Sequence, residues 1–120
     1  MDKNSIIYVA GHKGMVGSAI VKTLKVNDYK NIVTKTRDEL NLLDNKEVTD
    51  FINSAKPQYV IISAARVGGI KANMTYPAEF LYENLQIQNN IIWASLNSNV
   101  EKLLFLGSSC IYPRNSIQPM

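Results

Sequence analysis

The chain has 120 residues, enough for one domain with a core of its own and too few for two. Hydrophobic residues make up 46% and charged residues 19%, an ordinary globular balance, and no apolar run is long enough to cross a bilayer. The net charge of +3 is too small and too dispersed to argue for a nucleic-acid-binding face. Cys110 is the one cysteine, so there is no internal disulfide, and Met1–Asn4 leads directly into an apolar run. The expectation is a cytoplasmic protein with no signal or transit segment, no membrane partner and no nucleic-acid partner.

Ile6-Ile7-Tyr8-Val9-Ala10 is a short apolar run with β-branched residues and reads as a buried strand. It stops at Gly11, and glycines follow at three-residue steps, Gly11-x-x-Gly14-x-x-Gly17. His12, Lys13, Met15 and Val16 fill the positions between them. Ser18–Leu24 then carries apolar residues at helical spacing. Strand, glycine turn and helix in this order are the context of a dinucleotide fingerprint. Gly11 permits the tight turn, Gly14 lets the backbone approach a pyrophosphate, and Gly17 lets the helix pack closely on the strand. The helix N-terminus then presents its N–H groups to phosphates.

Asn31–Thr34 reads as the second strand and runs into Lys35-Thr36-Arg37, with no carboxylate at its tip. An acid there would accept the ribose hydroxyls of NAD and repel a 2′-phosphate, whereas Arg37 and Lys13 can neutralise one. The expected cofactor is therefore NADP. Two alternatives stay open: both cations are ordinary surface residues, or Asp38 and Glu39 reach a ribose. Asp44-Asn45-Lys46-Glu47 has the spacing of a capping box, with Asp44 accepting from the first turn and Glu47 reaching back. It opens a helix through about Ser54 that turns Val48, Phe51 and Ile52 to the sheet.

Gln58–Ser63 is the expected third strand. Small residues directly after it, Ala64 and Ala65, leave room for a ligand at the sheet's carboxyl edge. Val67–Asn73 reads as a loop and Tyr76-Pro77 as a helix start. The helix that follows, about Ala78 to Asn97, carries Phe80, Leu81, Leu85, Ile87, Ile91, Ile92, Trp93 and Leu96 over more than one face. So wide a band predicts contact with the sheet and with a second surface, such as another subunit. Asn84 lies in that band and must be paired, in the simplest case by a packing contact. Lys102–Gly107 is the fourth strand and ends in Ser108-Ser109-Cys110-Ile111-Tyr112-Pro113, which is either a reaction centre or a polar turn. Together these elements predict an α/β fold, a Rossmann-type doubly wound parallel sheet with strand order 3-2-1-4, truncated.

Four stretches resemble the GDP-L-fucose synthases, NADPH-dependent epimerase-reductases among the extended short-chain dehydrogenases and reductases. They are Ala10–Ile20, Thr36–Leu42, Val67-Gly68-Gly69-Ile70 and Leu106–Pro113, and the resemblance extends over essentially the whole chain. The glycine motif is common to the superfamily; the V-G-G-I and S-S-C-I-Y-P stretches are far more specific. The resemblance implies that Gly11, Gly14 and Gly17 line the cofactor pyrophosphate and that Lys13 and Arg37 face the 2′-phosphate. It implies further cofactor contacts from His12, Met15, Val16, Asp38, Leu40, Asn41, Leu42, Ala64, Ala65, Leu106, Gly107, Ser108 and Ser109, and no metal. Ser108 takes the place of the serine that hydrogen-bonds the substrate keto oxygen. Cys110 takes the place of the thiol that exchanges protons beside the ketone during epimerisation. For Asn84 the resemblance to the extended reductases implies, as the alternative to packing, a part in ordering a proton-relay water.

The implied substrate is GDP-4-keto-6-deoxymannose, and the implied assembly of the full-length enzyme is a homodimer. One departure matters. No tyrosine of this sequence is followed four residues later by lysine, and the only histidine, His12, belongs to the glycine turn. The sequence therefore corresponds to the N-terminal part of the cofactor-binding domain, without the sugar-nucleotide domain, and is expected to be inactive alone. The rival expectation is a nucleotide-binding or interaction module without catalysis; another sugar-nucleotide epimerase or dehydratase is disfavoured by Cys110 and the V-G-G-I loop.

Overall fold

Four of the five residues of strand β1 (Ile6–Ala10) are completely buried, and their alternation divides the molecule into two layers. Ile7 and Val9 point to one side and pack with Leu24, Ile20 and Val21 of helix α1 (Met15–Val26). Tyr8 and Ala10 point to the other. There they meet Val48 and Ile52 of α2 (Asn45–Ala55) and Ile91 and Ala94 of α4 (Pro77–Leu96). A strand buried on both faces is what a parallel sheet with helices on each side requires. In this computed structural model the described residues are 1–66, 70–108 and 112–119.

The remaining strands are β2 (Asn31–Val33), β3 (Tyr59–Ile62) and β4 (Lys102–Phe105), with a short helix α3 (Ile70–Thr75) before α4. All three pairings are parallel, and the order across the sheet is β2-β1-β3-β4. The doubly wound α/β class is as the sequence predicts. The order is not: 3-2-1-4 would place β3 outside β2, whereas β3 lies on the other side of β1. The reason is burial. Val60 and Ile62 are buried in one layer, while Tyr59 and Ile61 pack in the other, so β3 needs cover on both faces. β2 has three residues and an exposed first one, which suits an edge. Gln58 pins the arrangement, its N–H donating to Ile6 O at 2.9 Å and its Oε1 accepting from Ile6 N at 2.6 Å.

Helix boundaries follow local chemistry. Asp44 caps α2, its Oδ1 accepting from Glu47 N at 3.1 Å; the Glu47 carboxylate accepts instead from Asn41 N at 3.5 Å, so half of the expected reciprocal box is replaced. α2 stops at Lys56, which takes the left-handed conformation, before Pro57. Residues 70–75 form α3 where the sequence predicts loop, and Thr75 Oγ1 donates to Lys71 O at 2.7 Å inside it. Pro77 lacks an N–H and disfavours helical backbone at Tyr76, so the chain breaks there and restarts as α4 with proline in its first turn. Among the described residues no helix is long and apolar enough to cross a membrane.

Candidate functional site

Reversal of chain direction marks one place in the sheet. The connection out of β1 runs through α1 on one face, and those into and out of β3 run through α2 and α4 on the other. Between the carboxyl ends of β1 and β3 the two sets of loops part, and open α/β sheets bind their ligands at such a point. The turns after the two strands touch there. Gly11 has φ +86°, and a Cβ on it would stand 2.7 Å from Ala64 N and 2.8 Å from Ala64 Cα. Ser63 ties the strands together, its hydroxyl donating to Ala10 O at 2.8 Å and its N–H to the same oxygen at 3.0 Å.

The three glycines are not equivalent. A Cβ on Gly17 would collide with the Gly11 carbonyl oxygen and lie 2.7 Å from Gly11 C and Ser63 Oγ. Gly11 and Gly17 are thus demanded by the fold itself. Gly14 is not: its φ of −73° and ψ of 169° suit any residue, and among the described residues an added Cβ would meet only Gly11 O at 3.5 Å. It is the N-cap of α1, where serine or aspartate would be more stabilising, yet no side chain caps the helix and its first turn holds no acid. Met15 and Val16 are exposed, and Lys13 is exposed beside half-buried His12. The result is an open, uncapped helix N-terminus at the switch point, a cradle in which a side chain would occupy space the protein leaves empty. Such a cradle fits a phosphate group.

On the β2 side the chain closes a turn of its own. Thr36 N donates to the Glu39 carboxylate at 3.0 Å, Glu39 N donates to Thr36 Oγ1 at 3.3 Å, and Leu40 N donates to Thr36 O at 2.9 Å. The Thr36 backbone N–H, then its hydroxyl, and then the nearby charges of Lys35 and His12 hold the Glu39 carboxyl below its ordinary value. Glu39 is therefore committed to the turn. Arg37 and Asp38 stand exposed at its apex, and neither Arg37 nor Lys13 forms an ion pair among the described residues. Leu40, expected beside the cofactor, sends its side chain into the core at 5% exposure, because alternating Leu40 and Leu42 seal the layer that holds Val48. Leu40 offers a ligand only its backbone, whereas Leu42 stays partly exposed. Asn41 Oδ1 accepts from Leu43 N at 3.1 Å, and Leu42 O accepts from Asn90 Nδ2 at 2.9 Å.

Beyond β3, Ala64 packs on the core and Ala65 is exposed, so both leave the edge open. Arg66 is held by α4. Its N–H donates to Asn84 Oδ1 at 2.7 Å, and its carbonyl accepts from Asn84 Nδ2 at 3.2 Å. Its guanidinium pairs with Glu83 at 3.0 Å and lies 4.7 Å from the Phe80 ring centroid. Of the two roles open to Asn84 in the sequence, the structure displays the packing one, both ends of the amide bonding one backbone unit. Sequence reasoning missed the Arg66 clamp and the Thr36–Glu39 turn, though T-x-x-E is a readable capping-box signature.

β4 lies one strand farther from the glycine turn than the expected order would put it. Leu106 N donates to Ile62 O at 3.2 Å, a Cβ on Gly107 would meet nothing among the described residues, and Ser108 is exposed. Ser109 and Cys110 lie outside the described residues, as do Val67, Gly68 and Gly69. The carboxyl edge therefore presents, in spatial order, the Arg37 turn, the glycine cradle, Ala64-Ala65 and Ser108. That is three inter-strand steps, roughly 14 Å. Among the described residues no group of metal-ligating side chains gathers.

Comparison with known proteins places these features in a wider set. The model of the NAD dependent epimerase/dehydratase family matches residues 7–120. GDP-L-fucose synthase 1 of Arabidopsis thaliana is 54% identical over 119 residues, which is 99% of this chain and 37% of that protein. The Escherichia coli GDP-L-fucose synthase is 54% identical over 114 residues, 95% of this chain and 36% of that protein. Among solved structures, the Campylobacter jejuni GDP-mannoheptose C4 reductase with NADP bound superposes with a TM-score of 0.94 at 46% identity. It covers 100% of this chain, which in turn covers 38% of it. The chain thus spans little more than a third of the length of the relatives it matches.

Proposed function

The chain belongs to the NAD dependent epimerase/dehydratase family, and we propose that it is the N-terminal part of the NADP(H)-binding domain of a GDP-L-fucose synthase. The observation that carries the reading is Gly14: a glycine that the fold does not need, at the uncapped start of α1, at the switch point. In this reading Gly11, Gly14 and Gly17 with the backbone of His12–Val16 hold the pyrophosphate. Lys13 and Arg37 meet the 2′-phosphate, with Asp38 beside them. The backbone of Leu40–Leu42 lines the adenine, Ala64 and Ala65 leave the cofactor room, and Leu106–Ser109 flank its far end. The bound cofactor supplies the hydride that reduces a ketone.

The substrate under this proposal is GDP-4-keto-6-deoxymannose. The Ser108 hydroxyl donates to its keto oxygen, which acidifies the neighbouring C–H bonds, and the Cys110 thiolate takes and returns protons there. The tyrosine and lysine that complete the reduction are supplied from outside these residues, and the full-length enzyme is a cytoplasmic homodimer. The exposed Leu81, Leu85, Ile92 and Trp93 on α4 support that assembly.

Calorimetric titration of the chain with NADPH and NADH tests the cofactor reading. Tighter binding of NADPH, with the preference lost in Arg37→Ala, is expected; equal affinity for both would overturn it. A second reading, ketone reduction without epimerisation, is favoured by the 46% identity to the heptose C4 reductase. Deuterium exchange from solvent into the carbons flanking the ketone, catalysed by the full-length protein and lost in Cys110→Ser, separates the two.

A further inference from the structure

We propose that Asn90, a side chain of α4, is a positioning residue for the adenine end of the nucleotide site. The role at adenine rests on the cofactor reading above; the hold on the backbone does not. Asn90 is 2% exposed and stands next in the helix to Ile91, a member of the apolar layer that also holds Ala94 and Val48. Packing alone would favour leucine there, because a buried amide is tolerated only when its polar atoms are matched. They are matched three times. Nδ2 donates to Leu42 O at 2.9 Å, and Oδ1 accepts from Gln86 Nε2 at 2.9 Å and from Asn45 Nδ2 at 3.2 Å.

What distinguishes this contact is its reach. Among the described residues the other hydrogen bonds of the strip from Thr36 to Asp44 are local, joining Thr36 to Glu39 and Leu40, Asn41 to Leu43, Asp44 and Glu47, and Asp44 to Glu47 and Val48. Local bonds fix the shape of the strip; Leu40 and Leu42 seat it on the core layer by non-directional apolar packing, which leaves its backbone free to turn or slide until a hydrogen bond fixes it. Among the described residues the Asn90 amide is the one hydrogen bond that carries the strip to α4, across 48 positions of sequence. The same amide oxygen receives Asn45, the first residue of α2, so the end of the strip and the start of the next helix share one anchor. Asn84 on the same helix holds the loop after β3 in the same manner. The two amides are six residues apart, about 9 Å along a helix, so α4 sets the spacing between the loops on either side of the glycine cradle.

The test is Asn90→Leu, which keeps the branching and heavy-atom count and removes the hydrogen bonds, with the smaller Asn90→Ser as the second variant should the first not fold. Ile91→Ala, a cavity in the same layer without a bond to the strip, is the control for a general loss of packing. Each is titrated with NADPH, with 2′,5′-ADP as the adenosine half and with NMNH as the nicotinamide half. Amide hydrogen exchange is followed over Asn41–Asp44. The expected result is a loss of NADPH and 2′,5′-ADP affinity by one common factor on the order of tenfold, with NMNH unchanged. Exchange over Asn41–Asp44 is faster in the variants and unaltered in Ile91→Ala. Unchanged 2′,5′-ADP affinity overturns the proposal, whether or not exchange is faster, and so does an equal loss in Ile91→Ala. A parent chain that binds neither nucleotide refutes the cofactor reading instead. Exchange alone then decides whether Asn90 holds the strip: faster supports the anchor, and unchanged overturns it.

Discussion

Gly14→Ser and Gly17→Ala should have opposite signatures, because the fold needs one of these glycines and not the other. At Gly17 the new methyl group would strike the Gly11 carbonyl and press on Gly11 C and Ser63 Oγ at 2.7 Å. Two of those three atoms are backbone, so relief requires α1 to lift from β1 and to loosen Ile7, Val9 and Leu24. Overpacking of this kind costs about 1–3 kcal/mol or more. For a domain of this size that lowers the melting temperature by roughly 4–15 °C. At Gly14 the added Cβ sits 3.5 Å from Gly11 O, an ordinary contact, and the serine hydroxyl caps a helix that has no cap. The gain is a few tenths of a kcal/mol, about 1–2 °C. The same side chain enters the empty cradle and competes for its N–H groups, so NADPH affinity should fall by about tenfold or more. Thermal melts followed by circular dichroism, with calorimetric titration, read both effects. A Gly14→Ser chain that melts several degrees below the parent, or binds NADPH as the parent does, would refute the division between structural and ligand-directed glycines.

Glu39 gives a pH dependence of defined sign. Its folded pKa lies below its ordinary 4.5, so the folded chain binds fewer protons there than the unfolded one. The stabilisation is complete above 4.5 and is lost as pH falls through the folded value. Urea midpoints of the parent and Glu39→Ala should therefore differ near neutrality and converge on acidification, and a gap independent of pH contradicts the turn. Ser95 is buried in α4 with a hydroxyl that meets no partner among the described residues. Ser95→Ala should leave stability unchanged or raise it by about 1 kcal/mol, read by chemical denaturation, and a clear loss means that the hydroxyl is bonded. Exposed Trp93 and Leu96 on α4, with Leu104 and Phe105 on the outer strand, predict concentration-dependent self-association; light scattering from a monomer at high concentration would disprove it.

What could be read from the sequence was local. The strand, glycine turn and helix at Ile6–Leu24 are written in contiguous residues, as is the Asp44 cap, and both stand where the spacing predicts. Strand order is a choice between distant partners. The fact that β3 flanks β1 on the side away from β2 depends on how α2 and α4 share one face, which no window of neighbouring residues records. Thr36-x-x-Glu39 has a legible spacing, but it competes with a ribose role for the same carboxylate, and only the 3.0 Å bond decides. For Asn84 the apolar surroundings announce that a partner exists and are silent on its identity, because Arg66 is 18 positions away. The short helix over residues 70–75 lacks the length that makes a helical period visible.

Gly17 seats α1 directly on the Gly11 backbone, with the short Ser63 side chain beside it and no long side chain between them. A joint of that kind holds no long side chain to change rotamer, and its one short hydroxyl is tied to Ala10 O, so side-chain motion moves the helix N-terminus little along the strand. The outer face of α1, with Ser18, Ala19, Lys22 and Lys25 exposed, takes no part in the joint. Substitution there alters the charge of the helix while its N–H groups stay where they are. Electric field and geometry at the cradle can therefore drift independently, and related chains can retune attraction for a polyanion without rebuilding the seat that receives it.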